Sequence, residues 1–418
     1  MDLLRSRRNL FLDREELSRL QFKRFRRLLS FAYLNVPFYN RKLRRAGLKP
    51  DDVRSIEDVK KIPLTTKKEL RETSLRELVA PGLNLARCVR NFTSGSTGEP
   101  LLTVAGVRTN SFDGSMWLRA YLLNGMRLRD KMVVIKDLSA HPEQYRSWLE
   151  YLGLMRRRYV SVFCDSRRLL NYFILEKPDV IQGYPSSFAI MASFYESFVK
   201  VKPRLIFTLG EFLDKTDRAL ITDVFGTDVY DYYGSSEVGL ISWECKCHSS
   251  FHINADNVFL EFVGKDEEVI GVGELGEVVC TNLYNYEMPL IRFRQGDVGA
   301  AVSGECSCGI RLPLMEIKGG KKDDFLLAAE GRLVPPTVFF PYPFENFERI
   351  RRFRVIQERR NKLLIQLVLS KPVDLSFLAR ATENIERVFG QDMEVEFEFL
   401  EKLDRDPSGK LRKVISLL

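Results

Sequence analysis

The most distinctive stretch of the chain is the run Thr93-Ser94-Gly95-Ser96-Thr97-Gly98-Glu99-Pro100, which places four hydroxyl side chains and two glycines in six residues. Backbone N–H groups of such a loop can converge on an anion, and the hydroxyls add donors around phosphate oxygens. Glycine lets the main chain come close because it has no Cβ. The same residue types also build ordinary surface turns, and the run lacks the lysine of a Walker A motif. The pattern therefore leaves a phosphate site and a plain surface loop open, and it disfavours a P-loop kinase or GTPase.

Cysteine and histidine residues form two short clusters further along the chain. The members are Cys245, Cys247, His248 and His252 in the first cluster, and Cys306 and Cys308 in the second. Thiolate and imidazole groups suit a tetrahedral structural zinc ion, which takes four such ligands and needs no open position. Buried free thiols beside a chance histidine are the alternative, because the Cys-x-Cys spacing is tighter than the usual two-residue gap.

Three more stretches follow the Thr93–Pro100 loop in order. They are Tyr232-Tyr233-Gly234-Ser235-Ser236-Glu237, Arg292-Phe293-Arg294-Gln295-Gly296-Asp297 and Ser408-Gly409-Lys410-Leu411-Arg412. Together with the loop they resemble the four motifs of the adenylate-forming superfamily, which includes the acyl-CoA synthetases. The resemblance extends across almost the whole chain.

This resemblance implies a role for each motif. The loop holds the phosphates of ATP, Glu237 binds Mg²⁺, and Asp297 accepts hydrogen bonds from the ribose hydroxyls. Tyr232 and Tyr233 pack against adenine, and Lys410 stabilises the charge of the adenylation transition state. Read without the family, Asp297 is a turn-capping residue, the tyrosines belong to the core and Lys410 is a surface lysine.

Within the superfamily, smaller features look like the phenylacetate-coenzyme A ligase branch. They are the segment Phe31–Tyr39, the turn Gly183-Tyr184-Pro185-Ser186, Leu209-Gly210-Glu211 and the pair Asp323-Asp324. Branch members commonly have arginine before the paired aspartates. Lys321 stands there in this chain, without the planar fork that makes a bidentate ribose contact.

The site residues that the resemblance implies are of three kinds. Its catalytic residues are Lys410, Glu237 and Thr97, and its magnesium ligand is Glu237. Its nucleotide-binding residues are Thr93, Ser94, Gly95, Ser96, Thr97, Gly98, Gly210, Glu211, Tyr232, Tyr233, Gly234, Ser235, Ser236, Asp297 and Lys321. A similar Cys…His…Cys-x-Cys arrangement in some branch members selects Cys245, His252, Cys306 and Cys308 for zinc, although Cys247 or His248 could replace one of them.

The branch implies a reaction without fixing its substrate. An aryl or arylacetic acid reacts with ATP to give an acyl-adenylate and pyrophosphate, and coenzyme A then takes the acyl group. One alternative keeps adenylation and changes the substrate or acceptor to a carrier-protein thiol, a deazaflavin cofactor or a capsule-biosynthesis intermediate. A second alternative is a non-catalytic scaffold.

The elements that must position these residues alternate between strand-like and helix-like segments after about residue 90, which predicts parallel βαβ units and an α/β fold. We expect a large, multi-subdomain N-terminal α/β domain over residues 1–319, with a helical entry over 1–90. We expect a small, mobile α+β lid domain over 320–418, which carries Lys410. The glycines and charges of Gly319–Asp324 predict the linker.

Charge is concentrated at the start of the 418-residue chain, whose net charge is +9. Residues 1–50 hold 14 basic and 4 acidic residues, a net charge of +10. Apolar residues at helical spacing among these charges predict a helix docked on a body, so nucleic acid is not the expected partner. Neither a membrane-spanning run nor a signal-peptide pattern is present, which predicts a cytoplasmic protein. The oligomeric state stays open.

Overall fold

The computed structural model describes residues 2–92, 101–136, 138, 148–164, 166–192, 201–321, 326–328, 333–334, 349–406 and 409–418. The α-helices in these ranges are α1 (Asp2–Asn9), α2 (Arg14–Asn35), α3 (Pro37–Arg45), α4 (Lys67–Glu72), α5 (Leu75–Leu78), α6 (Val107–Leu123), α7 (Trp148–Tyr151), α8 (Ser166–Glu176), α9 (Pro185–Ala192), α10 (Lys215–Phe225) and α11 (Leu375–Phe389). Short 3₁₀ helices lie at Pro50–Asp52, Ile56–Lys61 and Leu85–Arg87.

The strands are β1 (Val89–Phe92), β2 (Leu102–Ala105), β3 (Lys131–Lys136), β4 (Arg156–Ser161), β5 (Val180–Gly183), β6 (Leu205–Leu209), β7 (Val229–Ser235), β8 (Gly239–Glu244), β9 (Phe251–Ile253), β10 (Val258–Val263), β11 (Gly276–Asn282), β12 (Phe293–Val302), β13 (Leu314–Lys321), β14 (Leu326–Leu327), β15 (Leu333–Val334), β16 (Ile350–Arg359), β17 (Lys362–Leu369), β18 (Glu394–Phe399) and β19 (Val414–Ser416). The chain divides into two compact units, Met1–Met126 with Tyr232–Ile317 and Arg127–Asp231 with Lys318–Leu418.

The first unit is built on strands in the order β10-β11-β12-β13-β9-β8-β7. Helix α2 packs on this unit, and Phe25 meets Phe259 of β10 edge-to-face at a centroid distance of 5.4 Å. The helix begins with a capping box between Asp13 and Glu16 and buries one apolar face, consisting of Leu17, Phe25, Leu28, Leu29 and Ala32. The predicted docked helix is therefore confirmed, and α2 turns exposed cations such as Lys23 toward solvent.

The second unit begins with four parallel strands in the order β6-β5-β3-β4. Helices α8, α9 and α10 supply apolar side chains to their core, among them Phe173, Phe188 and Phe225, which pack with Ile181 and Ile206 of the strands. This arrangement confirms the parallel βαβ units that the alternating pattern predicts.

The C-terminal part of the second unit is a four-stranded sheet in the order β18-β17-β16-β19. Its central hairpin is antiparallel and both outer strands run parallel to their neighbours. Helix α11 begins where Asp374 accepts a hydrogen bond from the Phe377 N–H, and it buries Phe377, Ala381 and Ile385 in the core of this part. A large N-terminal α/β region and a small C-terminal α+β region are thus both present, which confirms the predicted fold class.

The structure differs from the sequence-based expectation at the linker. Strand β13 continues through Gly319 and Gly320 to Lys321, where the glycines predict a break. A strand can contain glycine, although glycine weakens it because the backbone loses more entropy and no side chain packs there. A domain boundary near residue 319 stays a prediction. No helix among the described residues has the length and apolar character to cross a bilayer.

Candidate active site

The predicted phosphate loop, Thr93 to Gly98, lies outside the described residues, as does the pair Asp323-Asp324. Strands β1 and β2, which flank this segment in sequence, pair antiparallel with Phe92 opposite Leu102. The described residues on the two sides of the segment are therefore neighbours. The backbone of Lys321 ends β13.

The two adjacent tyrosines near the end of β7 have opposite surroundings, because successive strand side chains point to opposite faces. Tyr232 is 2% exposed, accepts a hydrogen bond from Asn124 Nδ2 at 2.8 Å and packs beside Trp117 and Tyr121. Tyr232 is therefore a core residue here, while the adenine contact predicted for both tyrosines stays a prediction.

Tyr233 contacts a second predicted site residue. Its hydroxyl donates to Asp297 Oδ2 at 2.7 Å, which links β7 to β12. Burial, together with the Asp297 carboxylate and the Cys280 thiol, raises the pKa of Tyr233 well above its usual range. The phenol therefore remains a donor, and Asp297 is held in a fixed orientation.

The turn after β7 presents Glu237. Ser235 Oγ accepts from the Val238 N–H at 3.2 Å, while Ser236 is exposed. A Cβ at Gly234 would lie 2.5 Å from the carbonyl oxygen of Gly239, so only glycine allows the two strands to approach this closely. The predicted Gly-Ser-Ser-Glu stretch is thus a tight turn with a carboxylate at its tip.

Glu237 is paired with a residue that the sequence did not indicate. Its side chain is 4% exposed, and its Oε1 lies 2.9 Å from the Nζ of Lys67, the first residue of α4. The Lys67 ammonium also lies 5.9 Å from the ring centroid of Phe293. A Thr-Thr-Lys-Lys run at 65–68 was the available signal, but it reads as an ordinary helix start.

A second carboxylate that the sequence did not indicate supports the same turn. Asp113 of α6 accepts from the Leu240 N–H at 3.3 Å. A Cβ at Gly239 would lie 2.1 Å from Asp113 Oδ1, so the carboxylate packs directly on the glycine backbone. Burial raises the pKa of Asp113 to about 6. Hydrogen bonds from Leu240 and Trp117 lower this pKa, but burial has the larger effect.

In the second unit, the predicted residues Gly210, Glu211 and Lys410 come together. Gly210 follows β6 with φ +82°, and a Cβ there would lie 3.0 Å from Tyr184 and 3.6 Å from the Cε of Lys410. Glu211 accepts from the backbone N–H groups of Ser186 at 2.9 Å and Leu411 at 2.6 Å. Burial raises the pKa of Glu211.

The loop that carries Lys410 is held by hydrogen bonds within its own segment and by a hydrogen bond to helix α9. Asp406 Oδ1 accepts from the Lys410 N–H at 3.0 Å, and the Asp406 N–H donates to the Lys410 carbonyl at 2.9 Å. Arg405 Nη1 donates to the Gly409 carbonyl at 2.7 Å and to Ser186 Oγ at 2.9 Å. Arg405 was not indicated by the sequence, because its partner on α9 is 219 residues away.

Four of the cysteine and histidine residues predicted to bind zinc form one cluster in the structure. Ligand atoms of Cys245, His252, Cys306 and Cys308 all lie within 4.8 Å of one another. Cys245 Sγ is 3.5 Å from Cys306 Sγ, and Cys308 Sγ is 3.3 Å from His252 Nε2. Burial lowers the pKa of His252 to about 4, which keeps the imidazole in its neutral, metal-binding form.

Cys247 and His248 lie beside this cluster and make other contacts. Cys247 Sγ is 3.2 Å from Ser307 Oγ, and His248 Nδ1 is 3.5 Å from Glu244 Oε2. The four residues gathered in the structure are therefore those that the resemblance selects.

Known proteins resemble this chain in sequence. The family model described as the CapK C-terminal domain matches residues 326–417. A phenylacetate-coenzyme A ligase of Thermus thermophilus is 30% identical over 351 residues, which cover 78% of this chain and 75% of that protein. Protein CapK of Staphylococcus aureus is 22% identical over 427 residues, covering 96% and 89% of the two chains.

A solved structure shows the same fold. The crystal structure of a 2-hydroxyisobutyryl-CoA ligase, in the postadenylation state with 2-HIB-AMP, aligns with a TM-score of 0.82 at 20% identity. The alignment covers 98% of this chain and 91% of that one.

Proposed function

We propose that the described residues serve two half-reactions, since the chain belongs to the phenylacetate-coenzyme A ligase family and is an AMP-forming acid–thiol ligase. In the first, a carboxylate attacks the α-phosphate of ATP, giving an acyl-adenylate and pyrophosphate. In the second, the thiol of coenzyme A takes the acyl group and AMP leaves. Both reactants of the first step are anions, so catalysis depends on positioning and charge neutralisation.

The observation that carries the proposal is the placement of Lys410. Its ammonium group is on a loop fixed by Asp406 and Arg405, and its Cε lies beside Gly210. The absence of a side chain at Gly210 lets Tyr184 and the stem of Lys410 pack directly against its backbone. We assign Lys410 to stabilising the charge that develops on the phosphate, with Glu211 holding the adjacent backbone at Leu411.

Asp297 and Tyr233 suit the sugar and base of the nucleotide. One carboxylate can accept from both ribose hydroxyls, and the Tyr233 hydroxyl fixes its orientation from the side. The Tyr233 ring offers a flat face for adenine, while Tyr232 serves the core. Gly234, Ser235 and Ser236 form the turn beside them.

Glu237 is the residue we assign to Mg²⁺. A carboxylate oxygen is the ligand type that this cation takes, and it would supply charge neutralisation at the phosphates. The Lys67 ammonium lies on the same carboxylate, so Glu237 is held in place by a positive charge that competes with the cation for its oxygen. The loop residues Thr93, Ser94, Gly95, Ser96, Thr97 and Gly98 complete the proposed phosphate site, and Lys321 is the proposed ribose contact.

Cys245, His252, Cys306 and Cys308 are the residues we assign to a structural zinc ion. Tetrahedral zinc holds sulfur ligands about 3.8 Å apart, from Zn–S bonds of about 2.3 Å, and the Cys245–Cys306 distance of 3.5 Å fits this spacing. Four protein ligands leave no position for substrate, so the proposed ion fastens β8 and β9 to the loop before β13.

For the acid we propose an aryl or arylacetic acid, supported by the name of the Thermus relative. A second candidate keeps the adenylation step and changes the acid or the acceptor, for example to a carrier-protein thiol. We keep this second candidate because residues 326–417 match a family model described as the CapK C-terminal domain, a name that specifies no coenzyme A ligase.

Carboxylate-dependent ATP–pyrophosphate exchange tests the proposal. A panel of aryl, arylacetic, fatty and amino acids is assayed with Mg²⁺, and thioester formation is then measured with and without coenzyme A. We expect exchange with arylacetic or aryl acids and thioester only with coenzyme A. Exchange without any coenzyme A thioester would favour the second candidate, and no exchange with any acid would reject an activated carboxylate from this panel.

A further inference from the structure

Three residues after Lys410, a second lysine lies between two buried carboxylates. Lys413 Nζ is 2.5 Å from Asp214 Oδ2 and 2.5 Å from Asp217 Oδ2, and the two aspartate side chains are 2% and 7% exposed. Arg352 of β16 lies 3.7 Å from Asp217 on the other side. Two cations and two carboxylates therefore form one compact buried group.

The carboxylates of this group are rigidly held. Asp214 is the N-cap of α10, and its Oδ1 accepts from the N–H groups of Thr216 and Asp217, both at 2.9 Å. Asp217 lies in the first turn of the same helix, where a negative charge is also favoured by the helix dipole. The Asp214–Asp217 pair is thus a fixed acceptor for a cation.

Lys413 is held with equal precision from its own side. Its carbonyl oxygen accepts from the Val355 N–H at 2.8 Å, which fixes the segment at the start of β19 to the edge of β16. Burial opposes the charge on Lys413, but the two aspartates outweigh burial and raise the pKa of the lysine. The lysine stays charged, and its position is defined by both sheet and helix.

The segment from Lys410 to Lys413 is consequently fixed at both ends. Glu211 accepts from the Leu411 N–H at 2.6 Å near one end, and the Asp214–Asp217 pair holds Lys413 at the other. Glu211, Asp214 and Asp217 all follow β6 within eight residues, so one short segment of the chain receives all of these contacts. The ion pairs of Lys413 are therefore one of the anchors of the backbone that carries Lys410.

We propose, resting on the function proposed above, that Lys413 is a positioning residue for adenylation, which keeps Lys410 beside Gly210 through its ion pairs with Asp214 and Asp217. Lys413 does not touch the reacting atoms in this assignment. Its removal therefore weakens the half-reaction that uses Lys410 and spares the transfer of an acyl group from an acyl-adenylate that is already formed.

The test compares the two half-reactions in the full-length protein. The variants are Lys413→Met, Lys413→Arg and Lys413→Met in a Lys410→Ala background. The control Lys402→Met removes an exposed lysine from the same C-terminal region. ATP–pyrophosphate exchange reports adenylation, and consumption of supplied acyl-adenylate by coenzyme A reports transfer. Melting temperature reports folding.

We expect Lys413→Met to lower exchange by about tenfold to a hundredfold, the scale of a misplaced catalytic group. Transfer from supplied acyl-adenylate should stay within about twofold of wild type, and Lys413→Arg should recover part of the exchange activity. In the Lys410→Ala background the second substitution should cause no further loss, because the two residues act as one unit.

Three results would overturn the assignment: unchanged exchange in folded Lys413→Met protein, equal losses in both half-reactions, or the same fold loss with and without Lys410. Because Lys413→Met leaves two buried carboxylates against one arginine, Asp217→Asn/Lys413→Met serves as a charge-balanced second variant and must behave in the same way. A wild-type protein that shows no exchange with any acid of the panel would instead reject the acid class proposed above, a result distinct from a loss confined to the Lys413 variants.

Discussion

One positive charge at Lys410 matters because adenylation brings a carboxylate and a triphosphate together. Lys410→Ala should lower ATP–pyrophosphate exchange by at least about a hundredfold, the usual cost of removing one donor aimed at developing charge. Transfer from supplied acyl-adenylate to coenzyme A should be largely retained. Equal losses in the two assays would show that Lys410 has a general structural role instead.

Arg405 acts at the same scale through its fork of donors: Nη1 donates to both the Gly409 carbonyl and Ser186 Oγ, and Nη2 donates to Ser187 Oγ at 3.3 Å. Arg405→Ala should lower exchange by about tenfold because the loop of Lys410 loses its support. Arg405→Lys should restore little, because a single ammonium cannot make the contacts of Nη1 and of Nη2 together. The exposed Arg359→Gln serves as the control, and a full rescue by lysine would contradict the geometric argument.

Sequence patterns identified residues with chemistry of their own but missed those that act through distant partners. Lys410 stands in a Ser-Gly-Lys run, and the zinc candidates stand in a dense Cys/His pattern. Arg405 and Lys413 meet partners 219 and 199 residues away, respectively, so no local spacing marks them. The same is true of Lys67, whose carboxylate partner follows β7.

The turn between β7 and β8 shows what an element contributes, since it holds Glu237 and rests on α6 through Asp113. Because burial raises the pKa of Asp113 to about 6, its carboxyl binds a proton more tightly in the folded protein than in the unfolded chain. Folding stability from this group is therefore full below about pH 4, where both states are protonated, and is lost as the pH rises toward 6.

Asp113→Asn should remove that dependence. The free energy of unfolding of wild type relative to the variant should fall by up to about 3 kcal/mol between pH 4 and pH 7. Urea unfolding at several pH values measures the difference, with the exposed Asp266→Asn as control. A wild-type-to-variant difference that is constant over this range would refute the buried-carboxylate argument.

The sequence predicts the bounds of an element with strong periodicity, such as helix α11, but not those of the edge strand β4. The bounds of α11 are those that the apolar spacing over Leu375–Phe389 predicts, because a buried stripe and an Asp374 cap agree. Strand β4 covers Arg156–Ser161, while the β-branched and aromatic residues point to Val160–Phe163. Strand β4 lies at the edge of the sheet and is half-buried along its whole length. Arginines can therefore occupy its positions, and a search for apolar residues does not detect the strand.

Stability of the whole molecule should depend on the proposed zinc ion. Cys306→Ser should lower bound zinc and the melting temperature by several degrees together, because a metal that binds only the folded state stabilises it by mass action. Metal analysis and calorimetry measure the two effects. Cys247→Ser is the matched control, since its thiol lies by Ser307 outside the cluster. A wild-type protein purified without zinc at normal stability would reject the site.

Cys245 and Cys306 are 61 residues apart in the chain. A cation that joins them in the folded protein closes a loop of that length, and its binding free energy offsets the chain entropy that this closure costs. The proposed site therefore holds β8 and β9 to the loop before β13 only while the ion is bound. It is a staple that needs no oxidant to form and that a chelator can open.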